Sequence, residues 1–142
     1  MSPQLEPLLD WYATLTPHSV NRVAQFYAAD ARFRDPFNDV RGVAAITAVL
    51  RHMFEHSENP HFIIDERIVQ DAQAFVTWRF VCTLRGKEYE IVGGTHFHFN
   101  ADGLVTLHRD YWDAAEELLQ KLPLVGAPIR WLRRRFALPS SG

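Results

Sequence analysis

The amino-acid sequence predicts an α+β domain in which helices come first and one long, curled antiparallel sheet follows. Three observations carry this. Apolar residues early in the chain recur at helical spacing, as in Leu5, Leu8, Leu9, Tyr12 and Leu15. From His61 onward they alternate in four runs separated by short turn-like segments. Gly93 to Asp113 reads as two long strands turning at Asn100-Ala101-Asp102-Gly103, where Gly103 supplies the positive φ of a bulged hairpin.

Taken in order, the first helix is ended by Pro17, and Val20, Val23, Ala24 and Tyr27 mark a second, shorter one. Only Thr16-Pro17-His18-Ser19 separates them, so they should pack as a hairpin. Ala31 to Asp35 reads as a short strand stopped by Pro36, and Asn38 to Gly42 as a loop. A third helix runs from Val43 to about His56, burying Ile46, Val49, Leu50 and Met53, and Ser57-Glu58-Asn59-Pro60 closes it. The strands are His61 to Val69, Phe75 to Leu84, Glu88 to Asn100 and Leu104 to Trp112, an antiparallel meander. Asp113-Ala114-Ala115-Glu116-Glu117 opens another helix, interrupted by Pro123, Gly126 and Pro128. A basic amphipathic helix over about 127–137 docks through Ile129, Leu132 and Phe136 and leaves its arginines in water.

The chain of 142 residues fits one domain spanning 1–142. With 47% hydrophobic and 13% aromatic residues, it has a bulky core or a pocket walled by rings. A formal charge of −2 gives no global argument for nucleic acid. Cys82 is the only cysteine, so an internal disulfide is excluded. The N-terminus does not read as a signal peptide, and no apolar run approaches the ~20 residues of a membrane span. A cytoplasmic protein without nucleic-acid or membrane contact is expected.

Strand parity singles out the candidate site. Thr95, Phe97 and Phe99 share one face of their strand, and His96 and His98 the other. On the next strand His108, Asp110 and Trp112 share a face opposite Leu107, Arg109 and Tyr111. An acid between an imidazole and an indole, on a face that should be apolar, points to a cavity. Burying an unpaired carboxylate is costly, so Asp110 needs a partner, which Asp35, His108 or Tyr12 could supply. Asp35 walled by Phe37, Phe26 and Trp78 would have a raised pKa and serve as a base near neutral pH. The alternative is a turn aspartate that accepts backbone N–H bonds. Val76, Trp78, Phe80, Cys82 and Leu84 fall on the inner face, with Arg79 outside. His96 and His98 face away from His108, so no metal site is expected.

The segment Phe26-Tyr27-Ala28-Ala29-Asp30-Ala31-Arg32-Phe33-Arg34-Asp35-Pro36, leading into a loop and a helix, resembles the nuclear transport factor 2-like superfamily and its SnoaL-like members. The resemblance implies a cone of helices on a curved sheet, a fold shared by ketosteroid isomerases, polyketide cyclases, limonene epoxide hydrolases and non-catalytic proteins. Carried over from ketosteroid isomerase, it places the base at Asp35 and a phenolic oxyanion donor at Tyr12. The second donor position falls on Thr95, a poorer donor than the neutral carboxyl that chemistry uses. Similarity to the epoxide hydrolases lies at Arg109-Asp110-Tyr111-Trp112-Asp113, but no Arg-x-Asp completes their triad. The cyclases ask for an acid near the end of the last strand, met by Asp110 with His108. The implied activity is isomerase- or cyclase-like general-base proton transfer on an apolar carbonyl compound, without metal or organic cofactor. Catalysis is assigned to Asp35, Asp110, Tyr12 and His108, and ligand contact to Phe26, Phe37, Trp78, Phe80, Thr95, Phe97 and Trp112. The alternative is a non-catalytic ligand- or partner-binding module. The resemblance also implies a homodimer through the outer sheet face of His96, His98, Arg109 and Tyr111.

Overall fold

The computed structural model describes residues 4–112. The helix start at Asp113 and the basic helix over about 127–137 lie outside the described residues. Helix α1 (Leu5–Ala13) buries Leu5, Leu8, Leu9, Trp11 and Tyr12. A 3-10 turn (Ser19–Arg22) and a single helical turn, α2 (Val23–Phe26), follow. The chain then enters β1 (Tyr27–Arg34), a short β2 (Asp39–Arg41) and α3 (Val43–His56). Four long strands complete it: β3 (Glu58–Gln70), β4 (Gln73–Leu84), β5 (Lys87–Phe99) and β6 (Val105–Trp112).

These strands form one six-stranded sheet in the order β2-β1-β6-β5-β4-β3. The meander from β3 to β6 is antiparallel as its short turns require, whereas β1 lies parallel to β6. That exception follows from connectivity, because α3 and four strands intervene before β6 returns beside β1. The β4–β5 hairpin turns at Arg85 (φ 51°) and Gly86 (φ 78°), the two left-handed positions that suit a two-residue hairpin loop.

Three boundaries differ from the sequence reading. Tyr27, expected at the end of a helix, opens β1 instead, and the strand therefore begins four residues before Ala31. Its register shifts between Tyr27 and Arg32, so the alternation that marks a strand is legible only in its second half. Asp39–Arg41, expected in a loop, pairs with the end of β1. Pro60, expected to stop a helix, lies inside β3, which the sheet tolerates because β3 is an edge strand.

The core fills the space between helices and sheet. Ile46, Val49 and Leu50 of α3 face Val76, Trp78, Phe80, Cys82 and Leu84 of β4, Ile91 and Phe97 of β5, and Val105 of β6, all buried. Met53 is only partly buried, because it faces the cavity described below. Gly93 and Gly94 sit side by side in β5, and each is roofed by a ring from β4. A Cβ at Gly93 would lie 2.7 Å from Trp78 Cη2 and 2.9 Å from the Trp112 Cβ, and one at Gly94 would lie 2.7 Å from Phe75 Cζ. Two consecutive residues of a strand point to opposite faces, so the pair lets an indole cross the inner face and a phenyl ring the outer one. Among the described residues no helix is long and apolar enough to cross a membrane.

Candidate active site

The hairpin joining β5 to β6 sets Thr95 opposite Asp110 and Phe97 opposite His108. All four point to the inner face, where Thr95, Phe97 and His108 are buried. They line an apolar cleft with two lobes. The inner lobe, about 40 Å³, is bounded by Tyr12, Thr95, Phe97, His108 and Asp110 with Leu9 and Ile64. The outer lobe, about 80 Å³, is bounded by Asp35, Met53, Phe80, Ile91, Asp110 and Trp112. Phe33, Leu50, Phe62, Trp78 and Asp110 belong to both. Neither lining includes a lysine or arginine among the described residues.

Six side chains, five lining the inner lobe and Tyr27 buried behind them, form one hydrogen-bonded chain. Tyr12 Oη lies 2.5 Å from Tyr27 Oη, and Tyr27 Oη lies 2.7 Å from His108 Nδ1. His108 Nε2 lies 2.7 Å from Asp110 Oδ1. The same Asp110 oxygen accepts the Thr95 hydroxyl at 2.5 Å, and Thr95 Oγ1 accepts the Trp78 indole N–H at 2.8 Å. Gly93 makes this last bond possible, since the Trp78 ring crosses it to reach Thr95.

With Asp110 as a carboxylate and His108 as a neutral imidazole, Asp110 only accepts, and His108 donates from Nε2 and accepts at Nδ1. Tyr27 then donates to His108, and Tyr12 to Tyr27. Every proton in the chain points toward Asp110. Burial raises the Tyr12 hydroxyl well above the usual phenol range, outweighing its bond to Tyr27. Burial likewise raises Tyr27, with the Tyr12 phenol and the Asp110 charge adding to it. Both phenols are neutral and serve as donors.

Asp35 borders the outer lobe just past the end of β1. Its Oδ1 accepts the backbone N–H of Phe37 at 2.8 Å and of Asn38 at 2.6 Å, and the Asn38 amide reaches both oxygens at 3.2 Å. The two readings of this residue are thus both present: it braces the turn after Pro36 and it lines the cavity. Burial, with the Asp110 charge second, pushes its pKa up to about 6 against these bonds.

The ring residues divide. Trp78, Phe80, Phe97 and Trp112 line the cleft, and Phe37 packs edge-on against Trp112 at 5.5 Å. Phe26 does not face Asp35. It stacks on Trp11 at 5.0 Å beside a separate surface cleft, because it ends α2 one residue before the strand begins. Tyr27 is the site residue that sequence reasoning missed, along with Phe33 and Phe62 of the cleft wall. The signal available for it was its odd-numbered parity with Ala31 and Phe33, hidden by the register shift.

Arg79 pairs with Asp65 on the outer face at 3.0 Å, away from the cleft. His96 and His98 lie ring against ring on that outer face, tilted with centroids 4.5 Å apart, and His96 bonds Gln73 at 2.8 Å. Among the described residues, His52, Glu55 and His56 bring possible metal-ligand atoms within 4.8 Å of one another, in the last turn of α3. There His56 Nδ1 donates to the His52 carbonyl oxygen at 3.0 Å, leaving Nε2 as the acceptor. A closed tetrahedral site would need a fourth ligand from elsewhere.

Solved structures share this fold at low sequence identity. A hypothetical protein with a ketosteroid isomerase-like fold from Catenulispora acidiphila, in complex with trimethylamine, is 16% identical, with a TM-score of 0.71 over 87% of this chain and 96% of its own. A putative SnoaL-like polyketide cyclase from Jannaschia sp. is 15% identical, with a TM-score of 0.68 over 98% of this chain and 97% of its own. An LEH-like epoxide hydrolase from M. tuberculosis is 18% identical, with a TM-score of 0.67 over 85% of this chain and 87% of its own. No curated protein matches the chain by sequence. Residues 8–108 match the SnoaL-like domain, well over half the chain and nearly all of the helix-on-sheet body that holds the cleft, and the protein belongs to that family.

Proposed function

We propose that this chain is an isomerase- or cyclase-like enzyme that takes an apolar carbonyl compound into the cleft and moves a proton at the carbon beside the carbonyl. The observation that carries the reading is the place of Asp35. Its carboxylate borders an apolar, ring-walled lobe, is held by three donors of its own turn, and has its pKa pushed up to about 6. Such a group is largely ionised at neutral pH yet basic enough to accept a proton from carbon. Tyr12 and the chain behind it face the negative charge that develops on the carbonyl oxygen. This chemistry needs neither a metal nor an organic cofactor.

Hydrogen–deuterium exchange tests it: enolisable ketones incubated with the protein in D2O lose their α-proton signals, followed by NMR. Asp35→Asn should slow exchange by about 10²–10⁴-fold, the usual contribution of a positioned base. Equal rates in the two proteins, or no exchange with any enolisable ketone, would remove Asp35 from this role.

A non-catalytic binding module is the second reading, and one observation favours it. Thr95, at the second oxyanion-donor position, already donates its hydroxyl to Asp110. The bound compound would then be held by the ring walls without turnover. On either reading the outer sheet face, where Ile68, Val92 and Tyr111 are exposed, is our proposed homodimer surface, and the oligomeric state in solution tests it.

A further inference from the structure

We infer that Tyr12 can donate its proton to a bound oxyanion only when the His108–Asp110 pair takes up one additional proton, with Tyr27 as the positioning residue that couples the two events. The inference deepens the proposed reaction and rests on its assignment of Tyr12 as the group that meets the substrate oxygen.

It follows from counting protons along the chain. Between Tyr12 and Tyr27 the oxygens are 2.5 Å apart, and Tyr27 Oη is 2.7 Å from His108 Nδ1. Each contact needs one hydrogen, because two lone pairs at such distances repel. With His108 neutral, the Tyr27 proton serves the histidine and the Tyr12 proton serves Tyr27, leaving Tyr12 no proton for a ligand. If Tyr12 turns its proton to a ligand, Tyr27 must donate to Tyr12. His108 Nδ1 then faces a bare Tyr27 oxygen and must itself carry a hydrogen. The Nε2 to Asp110 Oδ1 contact, at 2.7 Å, still needs its own hydrogen. The pair therefore holds one proton more than before, as imidazolium with carboxylate or as neutral imidazole with carboxylic acid.

Nothing else in the surroundings supplies that proton. The titratable groups facing His108 are Tyr12 from α1, Tyr27 from β1 and Asp110 from its own strand, with Asp35 beside Asp110 in the outer lobe. The other side chains against its ring, Phe33 and Phe97, carry no charge. The Thr95 hydroxyl and the Trp78 N–H are held by Asp110 and Thr95. The proton comes from solvent or from the substrate's own carbon by way of the cavity acids. Enolate stabilisation at Tyr12 is thereby tied to proton capture a few ångströms away.

The test uses 4-nitrophenolate, an aryl oxyanion whose colour reports its own charge. Its binding to the full chain is measured by calorimetry at pH 8 in phosphate and in Tris, whose ionisation enthalpies differ. The expected result is uptake of about one proton per anion bound by the wild type. Tyr27→Phe frees Tyr12 from the chain and should bind the anion with no uptake and at least equal affinity. Tyr12→Phe should bind it about tenfold more weakly. Binding by the wild type without proton uptake would overturn the inference, as would equal uptake in Tyr27→Phe, unchanged affinity in Tyr12→Phe, or no binding. The wild-type buffer comparison decides the matter even if a variant fails to fold. Turnover is not involved, so a failure here is separable from a failure of ketone exchange to depend on Asp35.

Discussion

Asp35 and Asp110 border the same cavity and live in opposite circumstances. The partners of Asp35 come from the next three residues of the chain, backbone N–H groups of a turn and the Asn38 amide. The partners of Asp110 include a hydroxyl from the neighbouring strand and an imidazole tied to two phenols on α1 and β1. A local brace costs little fold and leaves a carboxylate free to change its protonation state. A brace drawn from four elements makes the carboxylate a part of the architecture. The contrast fits the proposed roles, in which Asp35 takes the proton from carbon and Asp110 anchors the hydrogen-bonded chain that shares a proton with His108.

The largest effect that can break this comparison is Asp110→Ala. It strands the Thr95 hydroxyl and the His108 Nε2–H in a buried site, and should lower stability by about 2–4 kcal/mol in urea melts. A loss under 1 kcal/mol would put Asp110 on the same footing as Asp35. The next concerns Asp35 and has the opposite sign. Its folded pKa of about 6 lies above the ordinary aspartate value of 3.8. The folded protein therefore binds this proton more tightly than the unfolded chain. That contribution to stability is complete below pH ~4 and is lost as pH rises through ~6, at most about 3 kcal/mol in all. Asp35→Asn keeps an acceptor for the turn, so it should be more stable than the wild type at pH 8, with the gap closing toward pH 4. Thermal melts across that range check it, and a variant less stable at pH 8 would mark Asp35 as structural. The smallest is Thr95→Val, which removes one donor to Asp110 and the acceptor of the Trp78 indole. It should cost about 1–2 kcal/mol and shift the tryptophan emission. An unchanged spectrum would show that the indole is placed by Gly93 alone.

The same contrast explains what the sequence revealed. Asp35 could be read from an Asp-Pro turn, because its surroundings are its own neighbours in the chain. The inward parity of Thr95, His108 and Asp110 was legible from the hairpin turn at Asn100 to Gly103, since one turn fixes the register of both strands. Tyr27 was not legible. It completes a helical spacing with Val20, Val23 and Ala24, and the register shift after it removes the alternation that would have reclaimed it for β1. Phe26 was misplaced for a related reason: a ring that stacks on Trp11 and a phenol hydrogen-bonded to His108 are consecutive residues at the boundary between α2 and β1. The parallel seam between β1 and β6 joins segments far apart in the chain, which no local pattern announces.

Gly93 and Trp78 limit how this cleft can change over generations. With the indole in place, a methyl group at position 93 meets it at 2.7 Å, and it also meets the backbone-anchored Cβ of Trp112 at 2.9 Å. Shrinking the ring at 78 therefore removes only one of two obstacles, because every residue but glycine at 112 keeps that Cβ in place. The wall of the cleft can be reshaped through the ring at 78, while 93 stays closed to any side chain. A new cavity descends from this one by changing the indole and leaving the glycine beneath it alone.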